Sequence, residues 1–126
     1  MSPEHRAAKR RIKDAIRVWR HLVPPNVTIK HIFIEGSTAT GDKDVLAETD
    51  VAWEYHQAKI RWSLHNAAGV SQKYIDGTLV HELVHVMLGA IESQLRTDEG
   101  EHSHYVNAVC EHTVETVAAA IIRVAR

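Results

Sequence analysis

The hydrophobic positions near the start of the chain recur with the period of an α-helix. Four apolar residues follow one another at spacings of four, three and four: Ile12, Ile16, Trp19 and Val23. This spacing places them on one face of a helix that can pack against a core. Ser2 and Pro3 are typical of a helix N-terminus, where a hydroxyl caps the first turn and proline takes the first helical position. Pro24 and Pro25 end the predicted helix.

Three short segments further on have the pattern of β-strands. Residues Val27–Glu35 are rich in β-branched side chains, which favour strands. Two segments with alternating polarity follow, one with Val51, Trp53 and Tyr55 at odd positions and one with Ile60, Trp62 and Leu64 at even positions. Because a strand has a period of two, this change of phase requires a turn or a bulge near Gln57–Lys59. The pattern therefore predicts a hairpin or one long bulged strand.

Two apolar helices are predicted in the second half of the chain, over Tyr74–Leu88 and Tyr105–Val124. Residues 36–44, 65–71 and 92–102 are expected to be connections. The sequence has no internal repeat and no composition shift that would mark a second domain. The order of helix, two or three strands, helix and helix indicates one α+β domain over residues 1–126.

Composition narrows the class of protein further. Of the 126 residues, 44% are apolar and 25% are charged, which is typical of a soluble globular domain. No apolar run approaches the roughly 20 residues that span a bilayer, and the polar, basic start lacks the apolar stretch of a secretory signal. We therefore expect a cytoplasmic protein with no membrane partner. The single cysteine, Cys110, excludes an internal disulfide and a four-cysteine zinc site.

The strongest chemical signal is the motif H-E-x-x-H at residues 81–85, set within the apolar helix. Residues four apart lie on the same side of a helix, so the imidazoles of His81 and His85 can share one metal ion. Glu82 is rotated about 100° from His81, so it flanks the ion without binding it. There it can take a proton from a metal-activated water. The motif predicts a zinc site with a hydrolytic glutamate.

A catalytic zinc ion needs a third protein ligand, and the last predicted helix together with the residue before it offers three candidates. Glu111 and Glu115 lie in line with small and apolar residues, at the edge of the predicted buried arc. Two carboxylates directed at a core require a cation, and the alternative is a solvated pair of glutamates at the helix edge. His104 falls on the same helical face as Glu111 and is a further candidate. The predicted arc of apolar residues comprises Val106, Val109, Val114, Val117 and Ile121, while Tyr105 and His112 are expected at the surface.

The T-L-V-H-E-L-V-H segment, followed by a helix with E-x-x-x-E, resembles the gluzincin branch of the zincin metallopeptidases. More closely, it resembles small single-domain HExxH metallopeptidases encoded by phages and prophages, over about residues 74–122. The resemblance implies a minimal zincin-like fold with a small twisted sheet and a C-terminal helix that carries the third ligand. It implies that Glu111 binds zinc and that Glu115 accepts a hydrogen bond from a ligating histidine. Metzincins are excluded because the position of their third histidine is Ile91.

A peptidase also needs a donor for the oxyanion of its intermediate and a surface for its substrate. His102 and His104, just before the last helix, are the predicted donors, and His104 is taken as a catalytic residue. Residues 60–64 precede the motif helix and are the predicted edge strand to which an extended peptide would pair. An ordinary interior strand is the equally weighted alternative for this segment.

Three functions remain open from the sequence. The first is a zinc-dependent peptidase with a peptide or protein substrate. The second is a non-catalytic, zinc-stabilised zincin fold that acts in assembly or in a virion, with an assembly partner. The third is a binder of nucleic acid or another acidic partner, because residues 1–20 carry seven Lys/Arg against Glu4 and Asp14. A solvated helix face is the better explanation of these charges, because the rest of the chain is acidic and aromatic residues are nearly absent among them, so nucleic acid is not the expected partner.

Overall fold

The computed structural model describes residues 1–36, 45–98 and 103–125 of the chain. Within these residues the chain forms five α-helices and a three-stranded mixed sheet, so the predicted α+β class is confirmed. The elements in chain order are α1 (Pro3–Trp19), β1 (Thr28–Ile34), β2 (Ala47–Ala52), β3 (Gln57–Ser63), α2 (Leu64–Ala68), α3 (Gln72–Met87), α4 (Gly89–Asp98) and α5 (Ser103–Ala125). None of the described helices combines the length and apolarity that crossing a membrane requires.

Helix α1 begins as the sequence predicts. The hydroxyl of Ser2 accepts a hydrogen bond from the backbone N–H of His5 at 3.1 Å, and Pro3 is the first helical residue. The helix ends at Trp19 rather than at Val23, because a 3₁₀ turn over Arg20–Leu22 takes its place. Its buried face consists of Ala8, Ile12, Ala15 and Trp19, with Ile16 partly buried beside them.

Two of the basic side chains of α1 have structural partners. Arg11 donates to the carbonyl oxygens of Val70 at 2.7 Å and Ala67 at 2.9 Å, so it binds the C-terminal end of α2 to α1. The ammonium of Lys9 lies 5.1 Å from the ring centre of Phe33 on β1. Part of the positive charge of the first helix therefore stabilises the fold.

The strand order is β1-β3-β2, with β1 parallel and β2 antiparallel to β3. Strand β3 is central, since Ile60 lies opposite His31 on one side and Thr49 on the other. The prediction of an edge strand over residues 60–64 is therefore wrong, and its interior alternative is correct. Along β3, Ala58, Ile60 and Trp62 are buried in the core, whereas strand β2 lies at the edge.

The change of hydrophobic phase between β2 and β3 arises from a tight turn. Residues Trp53–Tyr55 form a 3₁₀ turn, and His56 adopts the left-handed conformation with φ 56°. The hairpin is confirmed, but its turn lies before Gln57 rather than over Gln57–Lys59. Trp53 and Tyr55 are exposed turn residues and not part of a strand.

Two segments expected to be connections contain helices. Helix α2 occupies most of residues 65–71 and is capped by Ser63, whose hydroxyl accepts from the N–H of Asn66 at 3.2 Å. Helix α4 occupies residues 92–98 of the other connection and starts at Gly89. Both helices are short, and their polar composition hides the period that identifies longer helices.

Helix α3 lies at the centre of the molecule. It packs against α1, β2 and α5, which explains why it is apolar on nearly every side. Its cap is Ser71, whose hydroxyl accepts from the N–H of Tyr74 at 3.1 Å. The buried residues of α3 are Ile75, Leu79, Val80, Glu82, Leu83, Val84 and Val86.

Helix α5 turns a different face to the core than its sequence pattern predicts. Val106, Cys110, Val114 and Ala118 are buried at spacings of four. Val109 and Val117 are 43% and 37% exposed, so the prediction that both belong to the buried face is wrong. The real face is rotated because α5 packs mainly on α3 and α4. Tyr105 and His112 are exposed, as expected.

Candidate metal centre

The two histidines of the motif meet on the side of α3 that faces α5. Their rings lie edge to face with centroids 5.0 Å apart. The carboxylate of Glu111 spans the pair, with Oε2 at 3.4 Å from Nε2 of His81 and Oε1 at 3.2 Å from Nε2 of His85. Helix geometry accounts for the approach of the two imidazoles, and the packing of α5 on α3 brings the carboxylate to them.

These three side chains offer two imidazole nitrogens and a carboxylate, a donor set that zinc accepts. One nitrogen or oxygen from each of His81, His85 and Glu111 lies within 4.8 Å of the others. Two donors on one tetrahedral zinc ion, with bonds of about 2.0–2.1 Å, are roughly 3.3 Å apart. The N–O separations of 3.4 Å at His81 and 3.2 Å at His85 are close to this value, each through a different oxygen of Glu111. Among the described residues, this is the one group of three or more His, Cys, Asp or Glu side chains so arranged.

Glu82 is buried beside this group. The residue is 7% exposed, and its Oε1 accepts a hydrogen bond of 2.8 Å from the hydroxyl of Thr49 on β2. Its other oxygen, Oε2, lies 3.9 Å from Nε2 of His81. Burial raises the pKa of Glu82 to about 7, and the charges of Glu111 and Glu48 act in the same direction. The hydrogen bond from Thr49 and the charge of His85 oppose this rise.

The two histidines differ in their affinity for a proton. Burial and the neighbouring His85 lower the pKa of His81, although the carboxylates of Glu111 and Glu115 oppose them. Burial also disfavours the charged form of His85, but its hydrogen bond to Glu92 and nearby carboxylate charges outweigh this effect and raise its pKa. The surroundings of the pair therefore favour a proton on His85 and disfavour one on His81.

Sequence reasoning did not identify Glu92 or Thr49 as site residues. Nδ1 of His85 lies 3.1 and 3.2 Å from the two carboxylate oxygens of Glu92, which is 7% exposed. Glu92 is seven residues from His85, across a break between two helices, and Thr49 comes from a strand more than thirty residues before the motif. A strand threonine carries no motif signal, so only the packing of β2 on α3 reveals its role.

The centre forms the floor of an open cleft with a volume of about 810 Å³. One wall consists of strand β2 and Val45, two residues before it, and the other walls come from α4 and α5. Ser93 and Asn107 place polar side chains on these walls. The other lining residues are Val45, Ala47, Glu48, Thr49, Asp50, Val51, His81, Glu82, His85, Gly89, Glu92 and Glu111.

The remaining predicted site residues lie outside the cleft lining. His104 is exposed in the first turn of α5, two turns before Glu111, and Glu115 is exposed one turn after it. Glu115 still acts on His81 through its charge. His102 lies outside the described residues. The third-ligand and catalytic roles considered for His104, and the hydrogen-bonding role of Glu115, thus stay predictions.

The structure brings four of the predicted residues together: His81, Glu82, His85 and Glu111. A comparison of this chain with family models, with curated proteins and with solved structures finds no match.

Proposed function

We propose that this protein is a zinc-dependent peptidase whose metal is held by His81, His85 and Glu111. The observation that carries the proposal is the convergence of these three donors beside a buried carboxylate, Glu82, at the floor of an open cleft. Two histidines and one carboxylate are a known ligand set of hydrolytic zinc sites, and three protein ligands leave a position open. In such a site zinc supplies Lewis-acid polarisation of a carbonyl and lowers the pKa of water.

Glu82 has the properties of the general base. Thr49 occupies its Oε1, so Oε2, on the side of His81, is the atom available to take a proton from the attacking water. Burial raises the pKa of Glu82 to about 7, which suits a group that first accepts a proton and later donates it. The carboxylate accepts a proton near neutral pH and then returns it to the leaving amine.

The cleft walls favour an extended peptide as the substrate. Among the described residues, β2 pairs with β3 on one side only, and residues 47–51 of β2 line the cleft. A peptide can add to such an edge through main-chain hydrogen bonds, which places a carbonyl over the floor of the cleft. Ser93 and Asn107 line the same cleft and are the candidate donors to the oxyanion.

The decisive experiment compares zinc-loaded wild type with zinc-loaded Glu82→Gln on unfolded, fluorescently labelled casein. Glutamine keeps the size of the side chain and its hydrogen bond with Thr49 but cannot act as the base. We expect wild type to cleave the substrate and the variant to be slower by about a hundred-fold or more, with zinc content unchanged. A chelator should abolish the wild-type activity, and zinc should restore it.

Equal cleavage by the two proteins would contradict the assigned role of Glu82. Zinc binding that raises the unfolding temperature of wild type, without cleavage of any peptide, would instead identify the non-catalytic, zinc-stabilised module.

A further inference from the structure

The second histidine of the motif has a carboxylate on each of its two ring nitrogens. Nε2 of His85 is 3.2 Å from Oε1 of Glu111, and Nδ1 is 3.1 Å from Oε1 of Glu92. The two carboxylates come from different helices and approach opposite sides of the ring. They therefore act on chemically distinct atoms of one imidazole.

We infer that Glu92 positions His85 for metal binding, by accepting a hydrogen bond from Nδ1–H and leaving Nε2 as the coordinating atom. The inference rests on the proposed metal centre and deepens it. A ligating imidazole binds through one nitrogen, and the hydrogen bond of the other nitrogen fixes its tautomer and the orientation of its ring. Carboxylate oxygens only accept hydrogen bonds when ionised, so Glu92 requires the proton to be on Nδ1.

The backbone around Glu92 is built to hold it in this place. Helix α3 ends at Met87, and the N–H of Leu88 still bonds to the carbonyl of Val84 at 3.0 Å. The N–H of Glu92 bonds in turn to the carbonyl of Leu88 at 2.9 Å, in the first turn of α4. The two helices are separated by one residue, Leu88, and the side chain of Glu92 reaches Nδ1 of His85 across this break. In one uninterrupted helix, residues seven apart would be separated by about 10 Å along the axis.

The junction between α3 and α4 also packs closely against β2, which helps to hold Glu92 in place. A Cβ atom at Gly89 would lie 2.6 Å from Cγ1 of Val51, so only glycine allows the start of α4 to lie this near the strand. Glu92 itself is 7% exposed, and burial of a carboxylate is costly unless a donor satisfies it. The Nδ1–H of His85 is that donor. The pairing of the two side chains is therefore a fixed part of the structure and not a surface contact.

This role differs from the one that the gluzincin resemblance implies. That resemblance assigns the hydrogen bond with a ligating histidine to Glu115 on α5. Here the carboxylate at hydrogen-bonding distance from His85 belongs to Glu92 on α4, while Glu115 is exposed and acts on His81 through its charge. The experiments therefore compare variants that remove the carboxylate of Glu92 with variants that remove the carboxylate of Glu115.

The first test is the tautomer of His85 at pH 9 in the metal-free Glu111→Ala variant, read from two-bond ¹H–¹⁵N correlations of the imidazole. This substitution removes the carboxylate that competes for the proton at Nε2. A free neutral imidazole favours the proton on Nε2, so a proton on Nδ1 is then a specific signature of the contact with Glu92. In this background we expect Nδ1–H with Glu92 intact and with Glu115→Leu added, and Nε2–H with Glu92→Leu added. A proton on Nε2 with Glu92 intact would overturn the inference, whether or not the further variants fold.

The second test is zinc affinity, measured by competition with a chromophoric chelator. We expect Glu92→Leu to bind zinc about ten- to a hundred-fold more weakly than wild type, and Glu92→Gln to recover part of this loss because its amide oxygen still accepts from Nδ1–H. Equal affinities of wild type and Glu92→Leu, or a larger loss in Glu115→Leu, would contradict the role. Absence of zinc binding or of peptidase activity in wild type would count against the proposed function, whereas the tautomer still tests Glu92.

Discussion

The hydroxyl of Thr49 lies 2.8 Å from Oε1 of Glu82 and joins the edge strand β2 to the side of α3 that carries the proposed general base. This hydrogen bond lowers the pKa of a carboxyl group that burial raises. It also holds one oxygen of Glu82, so the other oxygen faces His81. Strand β2 therefore has two functions in this account: it forms a wall of the cleft and it sets the basicity of the general base.

Replacement of Thr49 by valine should shift the pH dependence of peptidase activity. Without the hydroxyl donor the pKa of Glu82 rises, and a base with a higher pKa is deprotonated only at higher pH. We expect the acid limb of the kcat/KM profile to move to higher pH in Thr49→Val. Thr49→Ser keeps the hydroxyl and is the matched control. An unmoved limb in Thr49→Val, or an equal shift in Thr49→Ser, would refute the role of this hydrogen bond.

Glu82 should lower the stability of the metal-free protein at alkaline pH. Its pKa is about 7 in the folded protein against 4.5 for an ordinary glutamate, so its stabilising contribution is complete below pH 4.5 and is lost as the pH rises through 7. This difference corresponds to about 3 kcal/mol. Relative to wild type, Glu82→Gln should therefore gain stability between pH 5 and pH 8 by up to this amount.

Urea unfolding of both metal-free proteins at pH 5 and at pH 8 measures this effect. The difference between the two proteins at each pH is the quantity to compare, since other titrating groups contribute similarly to both. A stability difference that is the same at the two pH values would show that Glu82 titrates normally.

Gly89 should not tolerate a side chain unless β2 makes room for it. Alanine would place its Cβ 2.6 Å from Cγ1 of Val51, which forces the helix junction or the strand to move. We expect Gly89→Ala to lower the free energy of unfolding by about 1–3 kcal/mol and to weaken zinc binding, because Glu92 moves with the junction.

Val51→Ala, combined with Gly89→Ala in a double variant, removes the clashing methyl groups. It should restore part of the lost stability and part of the lost zinc affinity. Thermal unfolding and chelator competition on the two single variants and the double variant measure the coupling. Additive losses in the double variant would mean that the two residues do not interact.

The local part of the site could be predicted from the sequence because it depends on helix geometry alone. His81 and His85 share a face in any α-helix, and Glu82 follows at a fixed rotation. Glu111 was found as a polar residue among small and apolar ones on a second helix. Its place between the imidazoles then depends on how α5 packs on α3, which no local pattern specifies.

Glu92 could not be predicted because its position depends on a break in the helix. The segment after Gly89 is polar and lacks a clear period, so it was expected to be a connection. The prediction that residues 60–64 form an edge strand is wrong for a related reason. These residues precede the motif helix in sequence, but β1 and β2 pair with the two sides of β3, so β3 is interior and β2 lies at the edge. Contacts between distant segments decide both outcomes, and hydrophobic periodicity reports only local structure.

The ligand set itself is tested by comparing Glu111→Ala with Glu115→Ala in zinc competition assays. Glu111 contacts both imidazoles, whereas Glu115 is exposed and contributes through its charge. Loss of a ligand should weaken binding far more than loss of a neighbouring charge. A larger effect of Glu115→Ala, or of His104→Ala, would reassign the third ligand.

The central claim is that this chain holds one zinc ion at His81, His85 and Glu111. Metal analysis of the protein purified without added metal, for wild type and His81→Ala side by side, tests it most directly. The account predicts about one zinc ion per wild-type chain and almost none in the variant, with both proteins folded by circular dichroism. Wild-type protein that contains no metal and takes up none on dialysis against zinc would contradict the account.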